Sequence, residues 1–141
     1  MTMIFEAKSE EQIENCFSLF KVLRPDLTFY KFVTQVKRQQ TQGYKILAIS
    51  DNGIVQSAIG YRHSEFLAWG EIIYIDDLST AKVARASGYA GELLDHVINQ
   101  AKELGLQGVY LDIGYTRHCA HRLYLNEAFN LSSHHLSIEF A

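Results

Sequence analysis

The sequence predicts an α+β domain in which helices cover a central, mainly antiparallel sheet. Apolar residues recur at helical spacing in the first third of the chain and again after residue 88, whereas the stretch between them holds long β-branched and aromatic runs. The pair Asn52-Gly53 separates two of these runs and indicates a β-hairpin. One proline and nine glycines leave no room for a linker, so we expect residues 1–141 to form a single domain.

Local signals place each element in turn. Ser9 and Gln12 have the spacing of a capping box and open the first helix, which Pro25 ends. Gly43 ends the second helix and Gly105 the third. The expected strands cover 3–7, 44–50, 54–62, 69–80, 108–114 and 131–140, and the expected helices cover 9–23, 28–42, the stretch from the glycine segment to 104, and 118–129. The resulting order is β-α-α-β-β-β-α-β-α-β.

Composition excludes several classes of function. Thirteen lysines and arginines against sixteen acidic residues give a net charge of −3, which argues against nucleic acid as the principal partner. The chain shows neither a membrane-spanning run nor a signal peptide, so we expect a cytoplasmic protein without a membrane partner. Cys16 and Cys119 form neither a disulfide framework nor a metal-binding spacing.

The segment Arg85–Gly91 carries the clearest functional signal. Small residues at the start of a helix let an anion approach the first N–H groups, which have no partner within the helix. An alternative is that Ser87 caps the helix and the glycines ease packing. The segment lacks the lysine-serine or lysine-threonine ending of a P-loop and the G-x-G-x-x-G spacing of a dinucleotide fold.

Two motifs together resemble the GNAT superfamily of acyl-CoA-dependent N-acyltransferases. Arg85-x-x-Gly88-x-Ala90 is similar to the family's pyrophosphate-binding signature, and Ala120-x-x-Leu123-Tyr124, followed by Ala128-Phe129, is similar to its second segment. The resemblance covers about residues 69–129. It implies a three-layer α/β/α fold with a mixed sheet, acetyl-CoA as cosubstrate, no metal, and direct transfer of an acetyl group to a primary amine in a ternary complex.

The resemblance also implies which residues hold acetyl-CoA. The backbone of Leu78, Ser79 and Thr80 would pair with the pantetheine arm, and one of its amides could meet the thioester carbonyl. The pyrophosphate would lie on the turn formed by Arg85, Ala86, Ser87, Gly88, Tyr89, Ala90 and Gly91. Three positions depart from the family pattern. Ala86 is a mild change, Arg117 stands where an asparagine often contacts the cofactor, and Ala128 replaces a glycine, which suggests a differently shaped turn.

Tyr124 is the candidate general acid, because the family places a tyrosine near the sulfur of CoA at this point. The alternative is that Tyr124 only packs within its helix. Asp76 and Asp77 are candidate general bases, or simply solvated charges. Neighbouring strand residues point to opposite faces, so only one is expected in the cleft, and Glu71 shares the parity of Asp77 if no bulge intervenes. The resemblance implies a β-bulge in this strand, which would change that parity. The three carboxylates together favour a positively charged acceptor.

Other residues support weaker alternatives. His118, His121, His134 and His135 lack a familiar ligand spacing, so no metal site is predicted. Cys119 as a covalent acetyl carrier is a lesser option. A catalytically silent acyl-CoA-binding module is the second hypothesis for the whole chain. The segment 23–30 is expected to shape the acceptor side, and the strand 131–140 could pair with a second copy to form a homodimer.

Overall fold

The computed structural model describes residues 1–85, 87–113 and 118–140, with the backbone alone at 118–121. Its elements in chain order are β1 (Thr2–Glu6), α1 (Glu10–Glu14), α2 (Phe17–Leu23), α3 (Phe29–Gln40), β2 (Tyr44–Asp51), β3 (Ile54–Phe66), β4 (Gly70–Thr80), a 3₁₀ turn (Lys82–Ala84), α4 (Tyr89–Glu103), β5 (Gly108–Leu111) and α5 (His118–Asn126). The α+β class and the predicted order of these elements are confirmed, apart from the first helix and the last strand.

The five strands form one mixed sheet in the order β1-β2-β3-β4-β5. The first four strands pair antiparallel with their neighbours along the chain. The N–H of Gln107, just before β5, donates to the carbonyl of Glu71 at the start of β4 at 2.8 Å. Both strands therefore start at the same end of the sheet and run parallel, as a crossover through α4 requires. With four residues against eleven, β5 covers only part of β4.

A β-bulge interrupts the pairing of β3 with β4 at Asp76. Gly60 lies opposite Asp77 and Tyr61 opposite Ile75, so Asp76 is one extra residue on β4. Because Gly60 and Tyr61 point to opposite faces, Ile75 and Asp77 do too, in spite of their even spacing. Side chains of β4 therefore alternate in the opposite phase before and after the bulge.

Helices cover both faces of this sheet. On one face, the Ser79 hydroxyl donates to the carbonyl of Leu19 in α2 at 2.8 Å. On the other face, the hydroxyl of Tyr61 donates to Gln100 of α4 at 3.3 Å. The core on the first face is built from buried apolar residues of α1–α3 and of the strands, including Ile13, Leu19, Phe20, Phe32, Val33, Val36, Ile46 and Ala58.

The first predicted helix is divided in two. Ser9 and Gln12 form the predicted capping box. At the junction, however, the N–H of Cys16 donates to the carbonyl of Ile13, three residues back, at 3.0 Å. This tightened turn ends α1 at Glu14, and α2 begins at Phe17.

The predicted last strand is wrong. Within the described part of the chain, residues 131–140 form no strand, and all of them are exposed. Alternating apolar residues describe only one face of a local pattern, whereas a strand also needs a neighbour that accepts its backbone hydrogen bonds.

The chain divides into two compact units, Met1–Tyr110 and Leu111–Ala141, which are described separately. The first unit contains α1–α4 and most of the sheet, and the second contains α5 and the C-terminal segment. Among the residues described, no helix is long and apolar enough to cross a membrane.

Candidate functional site

Helix α4 begins without a capping side chain in the described structure. Its N-cap is Gly88, with φ 85° and ψ 2°, in the left-handed region that disfavours residues with a Cβ atom. Ser87 is therefore not the N-cap that the alternative interpretation required. The N–H groups of Tyr89, Ala90 and Gly91 lie in the first turn, where an α-helix offers them no backbone acceptor. With the helix dipole, they can bind an anion.

The space in front of this turn is open. Apart from the adjacent residues and the backbone of α4 itself, no heavy atom of the described residues lies within 4 Å of where a Cβ would stand on Gly88 or Gly91. Arg85 is exposed just before the turn. The side chain of Tyr89 instead donates a hydrogen bond to Asp51 Oδ2 at 2.9 Å, so it offers only its backbone to an anion. Ala86, also predicted in this turn, lies outside the described residues.

The end of β4 presents backbone groups away from β3. The N–H of Ala81 donates to the carbonyl of Gln56 at 2.8 Å, in register with the ladder. Hydrogen-bonded and non-bonded pairs alternate along an antiparallel ladder, so Ser79 bonds to β3, whereas Leu78 and Thr80 direct their N–H and C=O groups away from it. These two backbones fit the predicted contact with a pantetheine arm, whereas that of Ser79 does not.

A cavity of 670 Å³ lies between α2, α3 and the bulged part of β4. Its apolar wall comes from Phe20, Leu23, Leu27, Phe32 and Val36. The loop from Arg24 to Leu27 forms its rim, and the ammonium of Lys21 holds this loop by donating to the carbonyls of Pro25 and Leu27. The predicted acceptor segment thus lines a cavity of substrate size.

Both candidate bases reach this cavity, which corrects the expectation that only one would. Asp76 and Asp77 both line it, because the bulge turns them toward the same side. Glu71 lies on the opposite face, is exposed, and pairs with His63 at 3.6 Å. The predicted cluster of three carboxylates therefore does not form.

Each carboxylate in the cavity is paired with an arginine, and Asp77 also accepts from a hydroxyl group. Asp77 accepts from Tyr44 at 2.8 Å on Oδ2 and from Arg24 at 2.9 Å on Oδ1. Asp76 accepts two hydrogen bonds from Arg62, at 3.1 and 2.6 Å. The guanidinium of Arg62 also lies over the ring of Tyr44, 5.3 Å from its centre. Because arginines already neutralise both carboxylates, the cavity no longer favours an acceptor that carries only a positive charge.

Burial is the largest influence on the pKa of Tyr44 and of Asp76. It raises the pKa of the Tyr44 hydroxyl well above its usual value, and the Asp77 carboxylate raises it further, so Tyr44 stays a donor. Burial also raises the pKa of Asp76, although the hydrogen bonds from Arg62 act in the opposite direction. The same hydrogen bonds raise the pKa of Arg62.

Gly60 makes room for this network. A Cβ atom on Gly60 would lie 1.8 Å from the hydroxyl oxygen of Tyr44, so no residue with a side chain fits there without moving that ring. The glycine therefore allows Tyr44 to cross the backbone of β3 and reach Asp77 beside the bulge.

In the second unit, Tyr124 lies on α5 and is 8% exposed. Its ring packs edge-on against Phe129 with centroids 5.5 Å apart. The N–H of Phe129 donates to the carbonyl of Tyr124, and that of Ala128 donates to the carbonyl of Leu125. With φ 69° at Ala128, this is the Schellman turn that glycine usually completes, so the differently shaped turn that we expected is not found. The proposed acid role of Tyr124 stays a prediction.

Several predicted residues lie outside what the structure describes. These are Arg117 and the side chains of His118, Cys119, Ala120 and His121. His135 pairs with Asp112 at 3.2 Å and is exposed. Among the described residues, no group of three His, Cys, Asp or Glu side chains could hold a metal ion.

Sequence reasoning missed Tyr44, Arg62 and Gly60, and it did not single out Arg24. Tyr44 lies 33 residues and Arg24 lies 53 residues from Asp77 in the chain, so no local spacing marks either pair. The hairpin turn was the available signal, because it joins β2 to β3, the two strands whose pairing places Arg62 opposite Tyr44.

Comparisons with known proteins agree on one family. The protein-family sequence model described as "Acetyltransferase (GNAT) family" matches residues 9–129. The chain is 27% identical over 128 residues to "Uncharacterized N-acetyltransferase YhdJ" of Bacillus subtilis (strain 168). The match covers 89% of this chain and 90% of that protein. It is 33% identical over 76 residues to "D-amino-acid N-acetyltransferase HPA3" of Saccharomyces cerevisiae, which spans 51% of this chain and 47% of that one.

Solved structures share the fold. One example is a predicted acetyltransferase with acetyl-CoA from Clostridium acetobutylicum, with a TM-score of 0.79 and 16% identity, covering 99% of this chain and 96% of that one. At this level of identity the likeness concerns the fold alone.

Proposed function

The chain belongs to the Acetyltransferase (GNAT) family of acyltransferases, and we propose that it moves an acetyl group from acetyl-CoA to a primary amine of a small molecule or peptide, by direct transfer in a ternary complex. The observation that carries this proposal is the uncapped start of α4 at the left-handed Gly88, with open space before it. A diphosphate is the ligand that such a turn accepts most readily.

Residues of this chain fit acetyl-CoA in two places. The first-turn amides of α4, with Arg85 beside them, would hold the pyrophosphate, and the outward backbone groups of Leu78 and Thr80 would bind the pantetheine arm. Acetyl-CoA supplies an acetyl thioester as the group to be transferred. The proposed reaction uses no metal ion.

Asp77 fits the role of general base better than Asp76. Both oxygens of Asp76 are held by Arg62, whereas Arg24 holds only Oδ1 of Asp77 and is 55% exposed. An acceptor can therefore displace Arg24 and present its ammonium to Asp77, which takes up the proton. The neutral amine then attacks the thioester carbonyl, the carbon–sulfur bond breaks, and Tyr124 donates a proton to the leaving thiolate.

Thiol release from acetyl-CoA in the presence of a panel of primary amines tests the activity, and calorimetric titration with CoA tests the cofactor site. We expect Tyr124→Phe to lower turnover at least about tenfold, because the phenol proton is lost, and to leave CoA affinity unchanged. Tyr30→Phe is the matched control, since Tyr30 is exposed on α3 and is not among the residues that line the cavity. Unchanged turnover would remove Tyr124 as the acid.

Tight CoA binding without thiol release from any amine would instead support a silent acyl-CoA-binding module. A missing CoA site would overturn the whole proposal.

A cytoplasmic location and a homodimer complete the proposal. The apolar side chains of Leu131, Leu136, Ile138 and Phe140 are exposed, and they could be covered in a pair of chains. Analytical ultracentrifugation of the whole chain, compared with the double variant Leu136→Ser and Ile138→Ser, tests the dimer. We expect the variant to be monomeric at concentrations at which the unaltered chain is dimeric.

A further inference from the structure

We propose that Arg24 selects acceptors that carry a carboxylate next to their amine. Arg24 leaves Asp77 and binds that carboxylate when the acceptor's ammonium takes its place on Asp77. The inference rests on the proposed function, because it assigns the acceptor class of the same cavity. It follows from a difference between the two ion pairs that line the cavity.

The Arg24–Asp77 pair can exchange partners more easily than the Arg62–Asp76 pair. Arg62 is 26% exposed, makes two hydrogen bonds to Asp76 and packs on an aromatic ring. Arg24 is 55% exposed and reaches Asp77 through one guanidinium nitrogen at 2.9 Å. Bidentate pairs resist exchange, whereas exposed single contacts contribute little to stability. Arg24 is therefore the cation that an incoming acceptor displaces.

Asp77 keeps a partner during this exchange. Tyr44 donates to Oδ2, while Arg24 holds the other oxygen, Oδ1. The Asp77 side chain is only 13% exposed, so losing its cation without replacement would leave an uncompensated buried charge. An ammonium on Oδ1 restores the balance charge for charge, which explains why the acceptor needs a cationic amine.

Arg24 then needs an anion of its own. The displaced guanidinium remains at the cavity rim, at the end of α2, within a few ångströms of the newly bound ammonium. A carboxylate one or two carbons from the amine can reach it, and guanidinium forms its strongest hydrogen bonds with carboxylates. The apolar wall of Phe20, Leu23 and Phe32 suits an apolar side chain on the same molecule. The acceptor class is thus an amino acid with an apolar side chain.

Three acceptors that share a phenyl ring and a primary amine test this assignment. Phenylalanine, as each enantiomer, carries the carboxylate, phenylalaninamide replaces it by a neutral amide, and 2-phenylethylamine lacks it. We expect the unaltered enzyme to show a kcat/KM for one phenylalanine enantiomer at least about tenfold above that for its amide. Arg24→Gln should bring this ratio to about one, mainly by raising the KM for phenylalanine, and Arg24→Lys should keep part of the preference.

Arg38→Gln is the matched control. It removes the same charge from an exposed position on α3 that does not line the cavity, so the ratio should stay as in the unaltered enzyme. Circular dichroism and CoA affinity check that each variant is folded.

Each remaining outcome decides against the assignment. A preference of the unaltered enzyme for the amide or for 2-phenylethylamine would show a purely cationic acceptor and overturn it. An unchanged ratio in folded Arg24→Gln and Arg24→Lys would show that another group recognises the carboxylate. The proposed function survives both of these results, since acetyl transfer still occurs. If no amine releases thiol, the proposed function fails, and the inference fails with it.

Discussion

The start of helix α4 and the cavity beside β4 differ in how far their polar groups are satisfied. At α4, the first-turn N–H groups have no helical acceptor, and no side chain of the described residues caps them. In the cavity, Asp76 and Asp77 are both paired, through Arg62, Arg24 and Tyr44. A ligand at α4 therefore replaces only water, whereas a ligand in the cavity exchanges with groups that the chain already provides.

This difference bears on affinity and selectivity. An anion at α4 displaces water from the first-turn amides and breaks no contact within the described part of the protein, so the site can bind it with little discrimination. An acceptor in the cavity must replace a guanidinium, and only a molecule with matching charges recovers what is lost. In the proposed reaction, the start of α4 would bind the cosubstrate, and the cavity would select the acceptor.

The strongest test of the comparison places a charge at α4. Gly88→Asp and Gly88→Asn introduce side chains of almost equal size, and both residue types tolerate the left-handed backbone better than most. We expect Asp to weaken CoA binding about a hundredfold more than Asn, because its carboxylate repels the diphosphate. Isothermal titration calorimetry at low and high salt measures this.

High salt should reduce the difference between the two variants. Equal CoA affinity of both variants at low salt, where repulsion is least screened, would mean that the diphosphate does not bind at the start of α4.

A second test adds a methyl group at Gly60, where it would collide with Tyr44. Gly60→Ala should lower the free energy of unfolding by about 1–3 kcal/mol, because its Cβ would displace Tyr44 from Asp77. Gly91→Ala is the same substitution in open space on a helix and should raise stability by about 0.5–1 kcal/mol. Urea unfolding of both variants provides the measurement. A stable Gly60→Ala protein with unchanged acetyl transfer would show that the position of Tyr44 is unimportant.

A smaller effect is expected from the Tyr44 proton. The pKa of Tyr44 is raised in the folded protein, so the unfolded chain ionises first as the pH rises. The contribution of Tyr44 to the free energy of unfolding is therefore complete below pH 10 and is lost above it. Between pH 9 and 11, the unaltered protein should therefore lose about 1 kcal/mol more unfolding free energy than Tyr44→Phe. Denaturant unfolding across this range checks the sign. Parallel pH curves for both proteins would contradict the buried, protonated state of Tyr44.

The same two regions show what the sequence could predict. The α4 turn was predictable because Arg85 and Gly88 lie within one turn of chain, where spacing alone determines geometry. The capping box of Ser9 and Gln12 was predictable for the same reason. The cavity network was not, because Tyr44 and Arg24 meet Asp77 only after the sheet and helices have assembled.

Two errors have a similar origin. Strand parity placed Asp76 and Asp77 on opposite faces; the resemblance implied a bulge in this strand, but its position depends on the pairing of β4 with β3 rather than on β4 alone. The segment 131–140 has the alternation of a strand, but local alternation does not supply a pairing partner.

The extra residue in β4 gives the strand one position where its length can change. If Asp76 were deleted, Ile75 and Asp77 would become neighbours and would still lie opposite Tyr61 and Gly60, so every other side chain would keep its present face. Deleting any other interior residue of β4 would turn part of the strand's side chains to the opposite face of the sheet. Insertions and deletions acquired over evolutionary time should therefore accumulate at this single point, and Arg62, left without its carboxylate, would be free to take on another partner.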